Sequence, residues 1–415
     1  MQLSRIPKTS DQLGRYYTAQ GVAGLLIQSM AIQAPQTVIE LGVGDGALLR
    51  EASQHWGSAK FITVDIDECA KANLPPNISS ELIQHHTGDA LDFALDKKLG
   101  IDFGSVDSAV CNPPYVLPRW RKHFGDILEE AGLQSILPRF GCIPAEVLFI
   151  AQNLRLLKNG GKLGLILPDG IIAGEKFSAL RDALTTTHRI ERVIELPRRI
   201  FQNTDAKAHI MVLSKNIVPD ETIKIQKLDT CGVLSKIIEL PLEQASTRLD
   251  YSYLSAVRAK STKTTFNIRE VVKLLRRGTF SSAERKTSDL TILHTTDFTT
   301  ERLTVPRRFT TSKSILAKGN FVYAQKGDIL IGRVGRNLNQ KIWRVTTGFV
   351  LISDCVLMLR IDPIYADSVF EFLTSTDGRE CLAGISHGVG ASFITTDALL
   401  SLSINSKSYQ RTSIR

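Results

Sequence analysis

Cysteine, long apolar runs and a secretory leader are the features that this sequence has little of. Its 415 residues include six cysteines, none of them in a CxxC pair, which argues against a zinc site and a disulfide framework. No apolar run approaches the roughly 20 residues that a membrane span needs. The first twenty residues, MQLSRIPKTSDQLGRYYTAQ, lack the apolar centre of a secretory signal. These absences predict a cytoplasmic protein that uses neither a metal ion nor a membrane.

Positive charge is distributed unevenly along the chain, whose formal charge is +9. Residues 1–220 hold 23 Lys and Arg against 24 Asp and Glu, whereas residues 221–415 hold 28 against 18. A chain of this length exceeds one ordinary core, so two domains are expected. The basic excess predicts a module that binds a polyanion in the second half. The alternative is that these basic residues only keep that half soluble.

Short β-rich runs alternate with helical stretches in the first half of the chain. Six runs predict strands, at 37–44, 60–66, 105–111, 161–168, 189–196 and 208–215. Helical spacing covers 46–56 and 145–158. Such alternation is typical of an α/β fold with a doubly wound, mostly parallel, Rossmann-like sheet. Because the last two strands follow each other closely, we expect them to form an antiparallel hairpin at the edge of that sheet.

The pattern changes after residue 215. RLDYSYLSAVRA (248–259) predicts a connecting helix or an extended linker. The glycine-punctuated stretches 326–337 and 349–361 are typical of strands, and 366–376 has helical spacing. We therefore expect a first domain over 1–220, a linker over 221–260 and a smaller, sheet-rich α+β domain over 261–415.

A glycine-rich loop, ELGVGDGALL (40–49), follows the first predicted strand and precedes a helix. Glycine at 42, 44 and 46 permits a tight turn and lets a ligand lie against bare backbone at a helix N-terminus. The spacing is GxGxG, not the GxGxxG of dinucleotide binders, and Asp45 lies inside the loop. A carboxylate there would repel a pyrophosphate, so the loop favours a cationic or hydroxylated ligand.

Acidic residues also follow the next two predicted strands. Asp65 ends the run KFITVDI, where an acid can bind both hydroxyls of a ribose. Asp89 lies at the end of a third predicted strand, within reach of an adenine amino group. Each acid alone is more commonly a turn or capping residue, but their order at successive strand ends favours one shared ligand. A ligand with a ribose and an adenine but no phosphate chain indicates S-adenosylmethionine.

The stretch AVCNPPYVLP (109–118) ends a predicted buried strand with two consecutive prolines. Proline cannot donate to a sheet ladder, so the strand is expected to end at Cys111. The rigid turn is flanked by an amide side chain, Asn112, and an aromatic ring, Tyr115.

The glycine loop, the acids and NPPY (112–115) together resemble the amino-methyltransferases that modify exocyclic amines of DNA bases. LGRYYTAQGVAGLL (13–26) is similar to their N-terminal cofactor-binding segment, with Tyr17 and Thr18 at the matching positions. The cofactor loop precedes NPPY, as in the gamma subgroup of DNA adenine-N6 methyltransferases, which includes the methylation subunits of type I restriction systems. LPDGIIAGEKFSALR (167–181) and LPRRIFQNTDAKAHIMVLSK (196–215) also match that subgroup. The resemblance covers about residues 10–215, and ELGVGDG departs from the subgroup's usual loop only mildly.

The resemblance implies a catalytic turn made of Asn112, Pro113, Pro114 and Tyr115. The Asn112 side-chain oxygen and the Pro113 carbonyl would bind the two hydrogens of an adenine N6 amine. Tyr115 and Phe201 would stack on the base after it leaves the duplex; the alternative for Phe201 is an ordinary core residue. The residues expected to bind S-adenosyl-L-methionine are Tyr17, Thr18, Glu40, Gly42, Gly44, Asp45, Gly46, Asp65, Asp89 and Asn112.

The second half is similar to one target-recognition domain of the type I restriction specificity subunits. The similar stretches lie at 271–282, 290–299, 326–335 and 388–404. This resemblance implies double-stranded DNA as a partner, with a separate restriction endonuclease or another subunit as a further candidate. The chain ends without a long spacer helix, which is compatible with a monomer. The basic residues predicted to contact DNA are Arg119, Arg121, Lys122, Lys273, Arg276, Arg277, Arg333 and Arg336.

The sequence thus predicts a site-specific DNA adenine-N6 methyltransferase of a restriction-modification or related defence system. Two alternatives stay open. One is an enzyme that methylates RNA or a protein glutamine, because NPPY also serves other planar amines and amides. The other is a DNA-specificity protein without catalytic activity.

Overall fold

The computed structural model describes residues 20–405, apart from 77, 140–142, 199, 201–206, 259–264, 313–315, 317–320 and 389–390. The chain forms two compact units, the first ending at Asp250 and the second beginning at Tyr251. Within the described residues, no helix combines the length and apolar character that crossing a membrane requires.

A nine-stranded sheet forms the centre of the first unit. Its order is β3-β2-β1-β4-β5-β7-β6-β8-β9, and the strands are β1 (Thr37–Leu41), β2 (Lys60–Asp65), β3 (Ile83–Thr87), β4 (Val106–Cys111), β5 (Leu157–Pro168), β6 (Arg189–Glu195), β7 (Ala208–Ser214), β8 (Thr222–Lys227) and β9 (Ile238–Pro241). The first five strands in that order are parallel, and β7 is antiparallel to both of its neighbours. The carboxyl ends of β3, β2, β1, β4 and β5 therefore lie along one edge.

Helices cover the sheet on both faces. They are α1 (Gln20–Ser29), α2 (Ala47–His55), α3 (Leu95–Leu99), α4 (His123–Glu130), α5 (Ala145–Leu156), α6 (Asp169–Ala173) and α7 (Ser178–Thr187), with 3-10 turns at Glu68–Asn73, Gln134–Arg139, Glu175–Phe177 and Leu242–Gln244. Helices α1 and α2 share one apolar cluster with Val38 and Val110 of the sheet. Cys111, the next residue along β4, interacts with Asn153 of α5. Because successive strand residues point to opposite faces, α5 lies on the face opposite α1 and α2.

The six predicted strands of the first half are confirmed, and so is the α/β architecture with a mostly parallel sheet. Two expectations are wrong. Strands β6 and β7 pair antiparallel, as expected, but β8 and β9 extend the sheet beyond them, so the pair is not at its edge. The segment 221–260 is not a linker, because β8 and β9 belong to the sheet and α8 (Tyr251–Arg258) begins the second unit.

The second unit consists of small sheets covered by short helices. Its strands are β10 (Thr265–Asn267), β11 (Val272–Arg277), β12 (Ile292–Leu293), β13 (Thr310–Thr311), β14 (Tyr323–Gln325), β15 (Ile329–Gly332), β16 (Val334–Gly335), β17 (Ile342–Arg344), β18 (Phe349–Ile352), β19 (Val356–Ile361), β20 (Ser392–Phe393) and β21 (Ser403–Asn405). Its helices, after α8, are α9 (Ile268–Val271), α10 (Ser282–Thr287), α11 (Pro363–Thr374), α12 (Thr376–Ile385) and α13 (Thr396–Leu400), with 3-10 turns at Arg307–Phe309 and Leu338–Gln340.

Two apolar clusters stabilise the second unit. The antiparallel sheet β11-β19-β15-β17 packs on one side against residues of α11 to α13 such as Leu373 and Leu382. The second cluster surrounds Trp343, which is fully buried and stacks on Phe298 with ring centroids 4.7 Å apart. The predicted sheet-rich α+β character of this part of the chain is confirmed.

Candidate active site

One edge of the large sheet brings most of the predicted site residues together. The glycine loop follows β1, Asp65 ends β2, Asp89 lies two residues beyond β3, and Asn112 directly follows β4. Because β3, β2, β1 and β4 are parallel neighbours, these groups line the same carboxyl edge. Three other predicted residues, Tyr17, Thr18 and Phe201, lie outside the described residues.

The glycine loop requires glycine for its backbone. Gly42, Gly44 and Gly46 have φ of +81°, +56° and +73°, in the left-handed region that favours glycine. A Cβ on Gly46 would also lie 2.4 Å from the carbonyl oxygen of Asn73. The Asn73 amide donates to the carbonyl oxygen of Gly44 over 2.7 Å, so the loop is held from outside as well.

Asp65 joins the glycine loop to the end of β2. One of its carboxylate oxygens accepts the N–H of Gly44 and the other accepts the N–H of Asp67, both over 2.8 Å. A carboxylate oxygen can accept a second hydrogen bond, so these contacts leave capacity for ligand hydroxyls. The next residue, Ile66, has a side chain that is 57% exposed. Sequence reasoning missed this apolar surface, which lies directly beside the predicted ribose-binding acid.

Glu40 is buried beneath the loop with an unsatisfied carboxylate oxygen. Burial raises the pKa of Glu40 well above its ordinary value, and the nearby Asp45 and Asp65 raise it further. A hydrogen bond with the Leu49 backbone lowers this pKa but does not offset the increase. Its Oε2 atom has no hydrogen-bond partner among the described residues. Three acidic side chains around one glycine loop favour a ligand that carries positive charge.

The turn after β4 is held firmly at both ends. The Cys111 thiol donates to the carbonyl oxygen of Leu41 over 3.1 Å, and the carbonyl of Val116 accepts the N–H of Ala145, the first residue of α5, over 2.9 Å. Burial raises the pKa of the Cys111 thiol, and Glu40 adds to this effect, so the thiol is not a nucleophile at neutral pH.

Within the turn, Pro113 is buried, while Asn112, Pro114 and Tyr115 are half-buried. The Oδ1 atom of Asn112 and the hydroxyl of Tyr115 are inaccessible to solvent. The Asn112 side chain would have to rotate, or the segment that follows it to shift, before Oδ1 could contact a ligand.

The structure pairs two predicted site residues with each other. Arg121, predicted to hold a DNA phosphate, forms an ion pair with Asp89, predicted to bind the adenine of a cofactor. The Oδ2 atom of Asp89 meets the guanidinium, while Oδ1 accepts the N–H of Leu91 over 2.9 Å. A cofactor adenine and a DNA phosphate would therefore share Asp89 and Arg121 with this ion pair or displace it. Arg119 and Lys122, on either side of Arg121, are exposed.

Glu146 is a buried carboxyl group near this edge that sequence reasoning missed. It lies in the first turn of α5 and shares a helix face with Phe149 and Asn153, which are three and seven residues further on. The Phe149 ring lies 3.6 Å from where a Cβ of Gly42 would be, so this face looks towards the glycine loop. Glu146 is 6% exposed, and burial raises its pKa to about 7. This face also carries the polar Asn153, so no local pattern in the sequence marks Glu146.

We expect Glu146→Gln to remove part of the pH dependence of stability. A carboxyl group whose pKa rises from 4.5 to about 7 on folding contributes stability that is full below pH 4.5 and lost as pH rises through 7. The free energy of unfolding of the wild type should therefore fall by about 2–3 kcal/mol between pH 5 and pH 8 because of this group. Urea denaturation at both pH values measures it, with the exposed Glu129→Gln as a control. An equal fall in the Glu146→Gln protein would refute the assignment.

A buried ionic cluster lies at the ends of β5, β6 and β7. Lys207 Nζ lies 3.2 Å from Glu195, 3.4 Å from Asp169 and 3.7 Å from Asp250. Burial alone would lower the pKa of Lys207, but the three carboxylates reverse that effect and raise it. Asp250 also binds the Arg248 guanidinium through two hydrogen bonds of 2.7 and 2.8 Å. The cluster fixes the chain at the carboxyl end of β5, beside the turn that follows β4.

The basic residues predicted for the second unit lie on β11 and on either side of β16. Arg276 and Arg277 are exposed on β11, an edge strand of its sheet, and Lys273 on the same strand forms an ion pair of 3.0 Å with Asp362. Arg333 is half-buried beside β16, and Arg336 directly after it is exposed. Among the residues that the structure describes, no group of three His, Cys, Asp or Glu side chains is arranged to hold a metal ion.

Residues 3–232 match the model of the family described as N-6 DNA Methylase. The chain is similar to the type I restriction enzyme MjaVII methylase subunit of Methanocaldococcus jannaschii, at 27% identity over 219 residues, which are 49% of this chain and 37% of the relative. It is also similar to a tRNA1(Val) (adenine(37)-N6)-methyltransferase of Porphyromonas gingivalis, at 28% identity over 170 residues, 40% of this chain and 62% of the relative.

Among solved structures, the chain resembles the methyltransferase subunit of a type I restriction-modification system from Streptococcus thermophilus. The identity is 22% and the TM-score 0.44, over 57% of this chain and 53% of that one. The chain therefore spans less than two thirds of the length of each of these relatives.

Proposed function

Because the chain belongs to the N-6 DNA methylase family, we propose that it transfers a methyl group from S-adenosylmethionine to the N6 amine of adenine in double-stranded DNA. The observation that carries this proposal is the common edge of the sheet. There, an anionic glycine loop and the rigid Asn112–Tyr115 turn follow the neighbouring strands β1 and β4.

The residues of the glycine loop fit S-adenosylmethionine, which supplies a methyl group on a positively charged sulfur when it is bound. The acidic side chains of Asp45 and Asp65 match the positive charge of its sulfonium and ammonium groups, and a bound cation would favour ionisation of the buried Glu40. Asp65 has free acceptor capacity for ribose hydroxyls, and the exposed Ile66 offers an apolar surface to the adenine ring. Asp45 disfavours a dinucleotide because it would repel a pyrophosphate.

The Asn112–Tyr115 turn would act on the amine that receives the methyl group. The adenine N6 amine is a poor nucleophile because its lone pair is delocalised into the ring. The oxygens of Asn112 and Pro113 would each accept one N–H and draw the nitrogen towards tetrahedral geometry. Both prolines fix φ, so little reorganisation is needed at the transition state. Tyr115 would stack on the extruded base, and Phe201 stays the predicted second ring.

We expect Asp65→Ala to weaken the binding of S-adenosylmethionine by at least about tenfold. The substitution removes both the acceptor for the ribose and the hydrogen bond to Gly44 that holds the loop in place. Isothermal titration calorimetry with the wild type and the variant measures the change. The exposed Asp102→Ala serves as the control. Equal affinity in the wild type and Asp65→Ala would exclude the proposed role of Asp65.

The second unit would recognise the DNA site. It carries most of the basic excess of the chain, and Arg276, Arg277 and Arg336 are exposed on it. Phosphate contacts from such residues position a protein on DNA, while base-edge contacts select the sequence. In a restriction-modification system the protein would work in the cytoplasm, together with a separate endonuclease or another subunit.

Adenine in RNA is a second candidate substrate, because one of the similar proteins is named as a tRNA adenine-N6 methyltransferase. The two candidates separate in one experiment. The full chain is incubated with methyl-labelled S-adenosylmethionine and, in parallel, with double-stranded DNA, tRNA or a mixture of proteins. We expect N6-methyladenine in the DNA alone. Labelling of tRNA or protein without labelling of DNA would overturn the proposal.

A further inference from the structure

The segment that follows the catalytic turn exposes two large apolar side chains. Leu117 is 59% exposed and Trp120 is 49% exposed. The other two tryptophans of the chain, Trp56 and Trp343, are 3% and 0% exposed. A tryptophan side chain that stays in water does not gain the large favourable free energy of burial. An exposed tryptophan beside a site therefore suggests a surface that a partner covers.

The structure fixes Trp120 in place. Its ring stands edge-on against Phe124, with centroids 5.7 Å apart and an angle of 82°. Phe124 is fully buried in the first turn of α4. His123, beside it, lies 3.2 Å through Nε2 from the carbonyl oxygen of Leu91, and Arg121 is paired with Asp89. The indole therefore projects from an anchored segment of the protein and loses little conformational entropy when a partner binds.

The charge around Trp120 indicates the chemistry of that partner. Arg119 and Lys122 are exposed, Arg121 is exposed and paired with Asp89, and the sequence from 112 to 125 contains no acidic residue. Aromatic rings interleaved with Lys and Arg suit unstacked nucleic acid, because bases stack on the ring while the cations meet phosphates. An acidic protein surface would use the charges but would not require the projecting ring.

The position of Trp120 relative to Asn112 narrows the inference further. Extruding an adenine from a duplex leaves a gap in the base stack and an unpaired base on the opposite strand. Proteins that distort DNA commonly insert an apolar side chain at such a step. Trp120 lies only eight residues after Asn112, on the segment that directly follows the catalytic turn.

We infer that Trp120 stacks on the DNA bases exposed when the target adenine is extruded, with Leu117 beside it and Arg119 and Lys122 on the flanking phosphates. This inference rests on the proposed function and adds to it a residue that stabilises the extruded state. Trp120 contacts the DNA around the target base and has no contact with the reacting atoms, so it is a positioning residue.

The intrinsic fluorescence of the full chain tests the inference directly, because Trp120 is its one exposed tryptophan. The probe is a duplex that carries the chain's methylation site, with 2-aminopurine replacing the target adenine. Binding should quench the tryptophan emission and increase the 2-aminopurine emission. In Trp120→Phe, DNA binding should no longer quench the tryptophan emission. The increase in 2-aminopurine emission should be mostly kept, because phenylalanine still stacks on a base. Unchanged wild-type tryptophan emission on saturation with this duplex would overturn the inference.

The kinetics of DNA methylation test the same inference independently. Trp120→Ala should lower kcat/KM for DNA methylation by about tenfold or more, as expected for the loss of one stacking contact, and should leave the affinity for S-adenosylmethionine within about twofold. Tyr365→Ala, which removes a 37% exposed ring from α11, is the matched control. Wild-type kcat/KM and 2-aminopurine emission in Trp120→Ala would refute the inference alone. Failure of the wild type to methylate DNA would refute the proposed function instead.

Discussion

Replacing Asn112 with alanine is expected to lower the rate of methyl transfer by about a hundredfold to a thousandfold. The substitution removes one of the two oxygens that draw the adenine N6 towards tetrahedral geometry. Asn112 is among the residues predicted to bind S-adenosylmethionine, but the prolines, the glycine loop and Asp65 are unchanged, so the affinity for S-adenosylmethionine should stay within about threefold of the wild type. The effect should therefore fall on kcat and spare cofactor binding.

Single-turnover methylation of DNA and calorimetry with the cofactor measure these two quantities separately. Asn159→Ala is a suitable control, because Asn159 is exposed on β5 and its side chain pairs only with Asn216 across the surface among the described contacts. A variant at Asn112 that methylates DNA at the rate of the wild type would remove the catalytic assignment of the turn.

The second large effect is expected at Lys207. Lys207→Met keeps the approximate length of the side chain but removes the charge that faces Asp169, Glu195 and Asp250. Buried carboxylates that lose their partner are strongly unfavourable, and such losses typically cost about 3–5 kcal/mol of folding stability. We expect the free energy of unfolding to fall by this amount at pH 7, as measured by urea denaturation.

Lys227→Met provides the comparison for Lys207. Lys227 approaches Glu195 over 3.7 Å, but its side chain is 43% exposed, so solvent screens the pair and the expected loss is below about 1 kcal/mol. If the free energy of unfolding fell equally in the two variants, burial of the ion pairs would not determine how much they contribute to stability.

The sequence predicted the first sheet well where the signals are local. The run TVIEL ends at the glycines of the loop, and VDSAVC ends at the prolines, so each strand carries its own stop signal. The segment 221–260 was harder to predict. TIKIQK, which forms β8, pairs with β6 about thirty residues earlier and with β9 on its other side, and Ile223 and Ile225 of this strand are buried. Nothing within the six residues specifies this partner.

The residues of the candidate site also differ in whether local sequence could predict them. Gly42, Gly44 and Asp65 could be predicted, because each occupies a defined place after a strand. The ion pair of Arg121 with Asp89 joins residues 32 positions apart, and the Lys207 cluster gathers side chains from four separate segments. Glu146 is distinguished only by its burial. These features depend on tertiary contacts, which no spacing within the chain encodes.

Mapping N6-methyladenine in the DNA of cells that express this chain alone tests the central claim most directly. The account predicts N6-methyladenine at one defined sequence with the wild type and none with Asn112→Ala. DNA without N6-methyladenine in cells that contain the folded wild-type protein, or the same methylation pattern with Asn112→Ala, would contradict it.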